Sequence, residues 1–161
     1  MELYNICDNY ISYLKKFDSN VLENYGKSRP YIGLVLQINS FNYYVPLSSP
    51  KPKHKNMRNY KDFHKIKGGE YGVINFNKMI PAKSSQLTKI IIENEKDPLY
   101  KDLLRDQYAE ISKLEEVIHT KAKKLYELVT ANENDLTPND IKIKARCCNF
   151  ALLEEKMELY K

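Results

Sequence analysis

The segment from Pro46 to Lys55, PLSSPKPKHK, concentrates side chains that could act on a phosphodiester. Two adjacent hydroxyls, Ser48 and Ser49, are followed by three lysines and one histidine, and the segment contains no acid. Hydroxyls and lysines can hydrogen-bond and neutralise the phosphorane that forms when an RNA 2′-hydroxyl attacks the adjacent phosphorus. A Ser-Ser-Pro sequence is also an ordinary turn, so these residue types alone leave a purely structural role open.

The sequence offers few ligands for a metal ion. His54, His64 and His119 lack ligand spacing, no CxxC is present, and the basic N-terminal half has no paired carboxylates. We therefore expect neither a structural zinc nor a two-metal nuclease centre, and no cofactor. The sequence also lacks GxSxG, GxGxxG and a loop ending in GK[ST]. The α/β-hydrolase fold and nucleotide-loop folds are therefore not indicated.

The charge is unevenly distributed along the chain. Residues 1–92 contain 14 Lys and Arg against 6 Asp and Glu, a net +8, whereas residues 93–161 contain 12 against 15, a net −3. These values agree with the overall charge of +5. A basic half joined to a mildly acidic half favours one face that meets a polyanion.

The strongest clustering lies in residues 51–67, the basic segment. It holds seven Lys or Arg and two His against a single acid, with Tyr60 and Phe63 among them. Cations interleaved with aromatic rings suit single-stranded nucleic acid, in which phosphates meet cations and bases stack on rings. The residues that we expect to bind RNA are Lys53, His54, Lys55, Arg58, Tyr60 and Lys61.

A predicted β-hairpin leads into the two serines. The β-rich runs at 30–38 and 42–49 flank a turn, and Pro46 predicts an edge strand or a strand exit. Asp8 is a candidate N-cap for a short amphipathic helix. In chain order, the other predicted strands are 2–8, 62–66, 71–82 and 87–93, with a KGGE turn at 67–70. The apolar run at 87–93 is too short to exclude a helix there.

The C-terminal half has the pattern of helices. Asp97 and Pro98 form a cap and a first helical position, and one long amphipathic helix is predicted after them. Its apolar stripe consists of Leu104, Tyr108, Ile111, Leu114, Ile118, Ala122, Leu125 and Val129. The width of the stripe favours packing against strands over a coiled-coil seam. Thr137 and Pro138 predict a shorter helix, and 149–160 a last one.

Strands first and helices last indicate an α+β fold with an antiparallel sheet. The length predicts a single domain, 1–161. No apolar run is long enough to span a bilayer, and no secretory signal is apparent. Three cysteines, two of them adjacent, do not form a disulfide framework. These features predict a cytoplasmic protein.

Three segments resemble, in order, the ToxN/AbiQ family of type III toxin–antitoxin endoribonucleases. They are RPYIGLVLQINSFNYYVPLSSPKPKH, YGVINFNKMIP and the terminal CNFALLEEK. The resemblance implies a strongly twisted antiparallel sheet or partial barrel of the MazF/Kid type with packed helices. It also implies metal-independent RNA cleavage to 2′,3′-cyclic phosphate and 5′-hydroxyl ends, inhibition by a repeated small RNA pseudoknot, protein–RNA assembly and, in several members, abortive infection by phage.

The resemblance also implies a set of catalytic residues. Ser49 and Lys51 match the Ser and Lys of the family segment (T/S)-S-P-K, and Ser48 stands where Thr is common. Tyr25 and Arg29 match an upstream Tyr and a basic residue that is usually Lys. Since a guanidinium does not readily give up its proton, we expect Arg29 to stabilise phosphate charge and Lys51 to stabilise charge with possible acid work. Tyr25 would stack on a base or bond a phosphate.

Two other functions remain open from the sequence. The serines could form only a turn in a non-catalytic RNA-binding module. A toxin of similar fold could instead poison a protein target, although a protein-binding face would carry less charge at its centre than the basic segment does.

Overall fold

The computed structural model describes residues 1–24 and 29–161. Its strands form one antiparallel sheet, in the order β4-β5-β3-β2-β1-β7, with β6 also paired to β3. The strands are β1 (Glu2–Ile6), β2 (Tyr31–Ile38), β3 (Phe41–Ser48), β4 (His64–Lys65), β5 (Val73–Ile74), β6 (Ile80–Pro81) and β7 (Leu87–Lys89). The sheet is not closed, because β4 and β7 lie at opposite ends of this order. The predicted antiparallel α+β class is confirmed.

Six α-helices accompany the sheet in the described part of the chain. They are α1 (Asp8–Lys15), α2 (Pro52–Asn56), α3 (Pro98–Lys113), α4 (Glu115–Thr130), α5 (Pro138–Arg146) and α6 (Phe150–Leu159). The caps explain where three of them begin: Asp97, Thr137 and Asn149 each accept backbone N–H bonds from the first turn of the helix that follows. The core fills the space between these helices and the sheet.

Helix α6 packs its side chains into the core and links β3 to α4. Phe150 is fully buried and stacks on Tyr126 of α4 with ring centroids 5.8 Å apart. The carboxylate of Glu154 accepts hydrogen bonds from the hydroxyls of Tyr43 at 2.6 Å and Tyr126 at 2.8 Å. Burial and this carboxylate raise the pKa of Tyr126 to about 12. One acidic side chain of α6 therefore joins β3 to α4.

Three expectations from the sequence need correction. The long helix is divided at Leu114, whose φ of −104° and ψ of 9° are not helical. Asp8 is the first residue of α1 and Cys7 its N-cap. Pro46 lies inside β3, with β2 on one side. On the other side of β3, β6 pairs with Tyr43 and Tyr44, and β5 pairs with Leu47 and Ser48. Pro46 lies in the gap between these two strands, so the sheet is not weakened by its missing N–H.

Four of the predicted strands are also shorter than expected. The runs at 2–8 and 62–66 form only β1 and β4. The run at 71–82 forms only β5 and β6, which are separated by a 3₁₀ turn at Phe76–Lys78. The run at 87–93 forms β7 and then a 3₁₀ turn, Ile92–Asn94. None of the helices in residues 1–24 and 29–161 has the length and apolar character needed to span a bilayer.

Candidate active site

The end of β3 opens into a cleft of about 400 Å³, here named the cationic cleft. It is lined by Ser48, Lys51, Lys53, His54, Met57, Asp62, Phe63, Val73, Asn75, Asn77 and Arg146. Four of the residues that the sequence singled out meet here, because β3 delivers Ser48 and α2 begins shortly after it. The cleft combines hydroxyl, amide and cationic groups within one concave surface.

His54 fixes the position of Lys51. Its Nδ1 accepts a hydrogen bond from the backbone N–H of Lys51 at 3.2 Å, while the backbone N–H of His54 donates to the Lys51 carbonyl at 2.9 Å. The side chain is buried, with 3% exposure. Burial, and then the charges of Lys53 and Lys51, lower the pKa of His54 from its ordinary value. A neutral imidazole that accepts at Nδ1 carries its proton at Nε2. In this arrangement His54 cannot take a proton from a substrate hydroxyl.

The hydroxyl of Ser48 has a defined direction. Asn75 Nδ2 donates to Ser48 Oγ at 2.7 Å, and the Asn75 backbone N–H donates to the Pro46 carbonyl at 3.1 Å. Because Oγ is already an acceptor, its own O–H remains available to donate. Ser49 is the next residue, is exposed, and does not line the cationic cleft. Ser48 is therefore the hydroxyl that the fold aims into the cleft.

Two glycines let a turn pack tightly behind this segment. Gly72 has φ +94°, and a Cβ there would overlap the carbonyl oxygen of Ser48. Gly69 has φ +95°, and a Cβ there would lie 2.8 Å from the carbonyl carbon and oxygen of His54. The predicted KGGE turn and the YGVIN run that follows it thus support the backbone of the cationic cleft from behind.

The far wall of the cationic cleft contains residues that the sequence did not indicate. Arg146 makes a bidentate ion pair with Asp62, with Nε and one terminal nitrogen each 2.7 Å from a carboxylate oxygen. Asn77 Nδ2 donates to the same carboxylate at 3.2 Å. Asp62, Asn77 and Arg146 are far apart in the sequence, so no local sequence pattern predicted that they would meet. Only Asp62, as the single acid of a basic segment, stood out in the sequence.

Arg29 lies beside the cleft and not in its lining. Its guanidinium donates to the carbonyl of Leu47 at 3.1 Å and to the carbonyl of Glu23 at 3.4 and 3.3 Å. Three of its five N–H groups are thus used, one to hold Leu47, which precedes Ser48, and two to hold Glu23. Tyr25, which the family pattern also implies, lies outside the described residues.

The expected RNA-binding residues fall into three groups. Lys53 and His54 line the cationic cleft, whereas Lys55 and Arg58 are exposed on the surface next to it. Tyr60 and Lys61 contact α5: Asn139 donates to the Tyr60 hydroxyl at 2.7 Å, and Lys61 lies 2.6 Å from Asp140. Both also line a second groove of about 790 Å³ against α4.

Among residues 1–24 and 29–161, no group of three or more His, Cys, Asp and Glu side chains could hold a metal ion. Cys147 and Cys148 are buried free thiols. Burial raises the pKa of the Cys147 thiol to about 12, so this side chain is an apolar neighbour of the cationic cleft and not a nucleophile.

Known proteins resemble the chain over nearly its whole length. Residues 2–158 match the family model described as toxin ToxN of type III toxin–antitoxin systems. The endoribonuclease ToxN of Bacillus thuringiensis subsp. kurstaki is 32% identical over 164 residues, which is 99% of this chain and 84% of that protein.

Solved structures agree with the family match. One comes from work on the selective inhibition of a bacterial type III toxin by a non-coding RNA pseudoknot. It matches with a TM-score of 0.87 and 30% identity, and the match covers 99% of this chain and 96% of that chain. Another is AbiQ, a lactococcal anti-phage endoribonuclease of a type III system, with a TM-score of 0.81, 30% identity and the same coverage. The chain that carries the cationic cleft belongs to the ToxN family of type III toxin–antitoxin toxins.

Proposed function

We propose that this chain is an endoribonuclease toxin that cleaves RNA in the cationic cleft without a metal ion. The 2′-hydroxyl would attack the adjacent phosphorus in line and lose its proton to solvent water, and the bond from phosphorus to the 5′-oxygen would break, leaving a 2′,3′-cyclic phosphate and a 5′-hydroxyl. The observation that carries the proposal is the convergence of Ser48, Lys51 and Lys53 around one concave space. The endoribonuclease relatives, which match nearly the full length, support the same chemistry.

Each residue has a proposed role. Lys51 neutralises the phosphorane and protonates the departing 5′-oxygen, because an ammonium can give up a proton where a guanidinium cannot. Ser48 donates its free O–H to a non-bridging oxygen. Ser49, on the exposed side of the same turn, would orient the 2′-hydroxyl or contact the next phosphate. Arg29 adds positive charge behind Leu47, and Tyr25 would stack on a base.

We propose an RNA antitoxin as the partner that restrains the enzyme. A repeated pseudoknot would bind the cationic cleft and the exposed Lys55 and Arg58, and protein and RNA would combine into an oligomeric assembly. Support comes from the solved type III toxin inhibited by an RNA pseudoknot. The anti-phage relative supports a role in abortive infection. Because its targets would be cellular or phage messenger RNA, we place the enzyme in the cytoplasm.

We further propose that residues 1–161 act as one endoribonuclease domain built on a strongly twisted, MazF/Kid-like partial barrel. The continuous core and the family match over 2–158 support a single domain. The antiparallel order of the sheet supports the barrel-like description, although the sheet itself is open.

The test is cleavage of a messenger RNA in EDTA by the wild-type chain and by Lys51→Ala. We expect the wild type to give fragments with cyclic phosphate ends and Lys51→Ala to be slower by about ten- to a thousandfold, the usual scale for one electrostatic contact. DNA, and RNA carrying a 2′-O-methyl group at the cut, should be inert. A matched control is Lys89→Ala, since Lys89 lies on β7 at the opposite end of the sheet order.

The main competing function is a non-catalytic RNA-binding module. It predicts that RNA is bound and never fragmented under these conditions. Rapid cleavage of the 2′-O-methyl RNA would instead rule out the 2′-hydroxyl mechanism.

A further inference from the structure

Arg146 is a cation of the cationic cleft that the roles above leave unused. It ends α5 and reaches across the cleft to Asp62, whose carboxylate is only 2% exposed. The arginine side chain itself is 48% exposed. One edge of the guanidinium is therefore bound inside the protein, and the other faces the open cleft.

The ion pair fixes the orientation of the guanidinium. Nε and one N–H of the second terminal nitrogen donate to Asp62, so two of the five N–H groups are used. The remaining three have no acceptor in the described ranges 1–24 and 29–161. A planar fork held on one side by a carboxylate presents its other N–H groups in a fixed plane, and this geometry matches two oxygens of a phosphate.

The charges in the cleft favour an anion at this place. Lys51, Lys53 and Arg146 face the cleft, and Asp62 is the acid in its lining. That carboxylate is covered by Arg146 and by Asn77, so little of its charge reaches the open side. Three cations against one shielded carboxylate leave an excess of two positive charges around a space of about 400 Å³.

We propose that Arg146 is a further catalytic residue that binds the scissile phosphate through its free N–H groups, with Asp62 as its positioning residue. This inference rests on the proposed RNA cleavage. During in-line attack the negative charge on the two non-bridging oxygens increases, and a guanidinium already fixed in place stabilises that charge without rearrangement. Ser48 and Lys51 approach the phosphate from the β3 side, and Arg146 from the α5 side.

The alternative is a purely structural ion pair that joins the segment around Asp62 to α5. Arg146→Gln alone cannot decide between the two, because it leaves a buried carboxylate without its partner and this is strongly destabilising. The double variant Asp62→Asn with Arg146→Gln removes both charges, keeps the shape of the Asp62 side chain and replaces the guanidinium by a shorter neutral amide. In this variant no buried carboxylate is left to be neutralised, so a slower cleavage rate reports the loss of the contact between the guanidinium and the substrate.

The experiment compares wild type, Asp62→Asn, Arg146→Gln and the double variant for melting temperature and for single-turnover cleavage of a transcript that the wild type cuts. We expect the double variant to melt close to wild type and to cleave about ten- to a thousandfold more slowly. Asp62→Asn, which keeps the guanidinium, should have a smaller effect on the cleavage rate. Cleavage by the double variant within twofold of wild type would overturn the proposal, because it would mean that only the buried charge mattered.

The matched control is Arg105→Gln. Arg105 also pairs with a carboxylate through Nε and a terminal nitrogen, at 3.3 and 2.7 Å from Glu93, and is 49% exposed, but it lies on α3 away from the cationic cleft. Its cleavage rate should equal that of wild type. An equal fall in rate in Arg105→Gln and in Arg146→Gln, each of which removes one positive charge, would assign the effect to net charge and overturn the specific role.

A binding measurement separates this inference from the proposed function. The probe is the same transcript sequence synthesised with 2′-O-methyl groups, which cannot be cut by the proposed mechanism. Removing one phosphate-binding cation should lower the slope of log affinity against log salt by about one in the double variant. If the wild type cleaves no RNA, the proposed function fails. If the double variant then also has the same salt slope as wild type, the role of Arg146 in phosphate binding is overturned as well.

Discussion

The Nδ1 atom of His54 accepts the backbone N–H of Lys51 at 3.2 Å, so the residue proposed to protonate the leaving group is held by an imidazole that must stay neutral. A protonated His54 would carry a hydrogen at Nδ1 and could no longer accept this bond. The protonation state of His54 is thus linked to the position of Lys51.

The first prediction concerns acid pH. Burial lowers the pKa of His54 below its ordinary 6.5, so the folded state favours the neutral ring. The stability that this preference contributes is complete above the unfolded pKa and is lost as the pH falls toward the lowered folded pKa. We expect both the free energy of unfolding and the cleavage rate to fall below about pH 6.5.

His54→Asn tests this assignment, because its side-chain oxygen can accept the Lys51 N–H and does not titrate. Its cleavage rate should be less sensitive to pH on the acid side than that of wild type. The control is His119→Asn on α4, whose ring meets the Val35 carbonyl at 2.8 Å outside the cleft and should keep the wild-type profile. An identical acid limb in His54→Asn would show that another group titrates.

The second prediction compares the two adjacent serines. Ser48→Ala should slow cleavage by about ten- to a thousandfold, because it removes the hydroxyl that Asn75 directs into the cleft. Ser49→Ala should slow it less, since Ser49 is exposed and outside the lining. Single-turnover rates on one transcript make the comparison, and circular dichroism checks the fold. A larger effect of Ser49→Ala would place the reacting phosphate on the outer side of the turn.

The third prediction uses two glycines with positive φ. Gly72→Ala should destabilise the protein and abolish cleavage, because its Cβ would overlap the Ser48 carbonyl. Gly68→Ala provides the matched control: Gly68 has φ +64°, and its Cβ would have no atom within 4 Å. We expect Gly68→Ala to reduce the free energy of unfolding only through backbone strain, by about 1–2 kcal/mol, and to remain active. Urea unfolding measures both variants, and equal destabilisation would mean that the overlap is relieved by a small shift.

The fourth prediction concerns salt. Replacing Lys53, Lys55 and Arg58 by Ser should weaken binding of the cognate antitoxin RNA and flatten the salt dependence by roughly one unit for each phosphate that is no longer neutralised. The control replaces Lys89, Lys113 and Lys123, so the net charge falls equally at other surfaces. Affinity is measured at several salt concentrations. Equal slopes in wild type and in the Lys53, Lys55 and Arg58 variant would move the antitoxin-binding site to another surface.

The sequence predicted the parts of the site that depend on local pattern. The alternating hairpin that delivers Ser48 and the caps at Asp97 and Thr137 were all readable, because neighbouring residues determine them. The two-residue strand β5 was not delimited, because its pairing with β3 is set by packing far along the chain. Asn75, Asn77 and Arg146 were missed for the same reason.

Pro46 and Leu114 illustrate two different errors. Pro46 was placed on an edge strand or at a strand exit because proline removes a ladder donor, but the gap between β5 and β6 makes that donor unnecessary. Leu114 belonged to a regular apolar stripe, and an apolar residue in such a stripe carries no signal of a break in the helix. Tertiary packing decides both positions.

The packing of the cationic cleft against the last helices also bears on when a newly made chain becomes dangerous to its cell. The carbonyl of Asn77 accepts the backbone N–H of Cys148 at 2.8 Å, and Asp62 accepts the guanidinium of Arg146. A chain still growing on the ribosome has Ser48 and Lys51 long before it has these partners. The cleft is therefore completed only once residues 146 to 148 have been made, and a chain terminated before residue 146 lacks one wall of it.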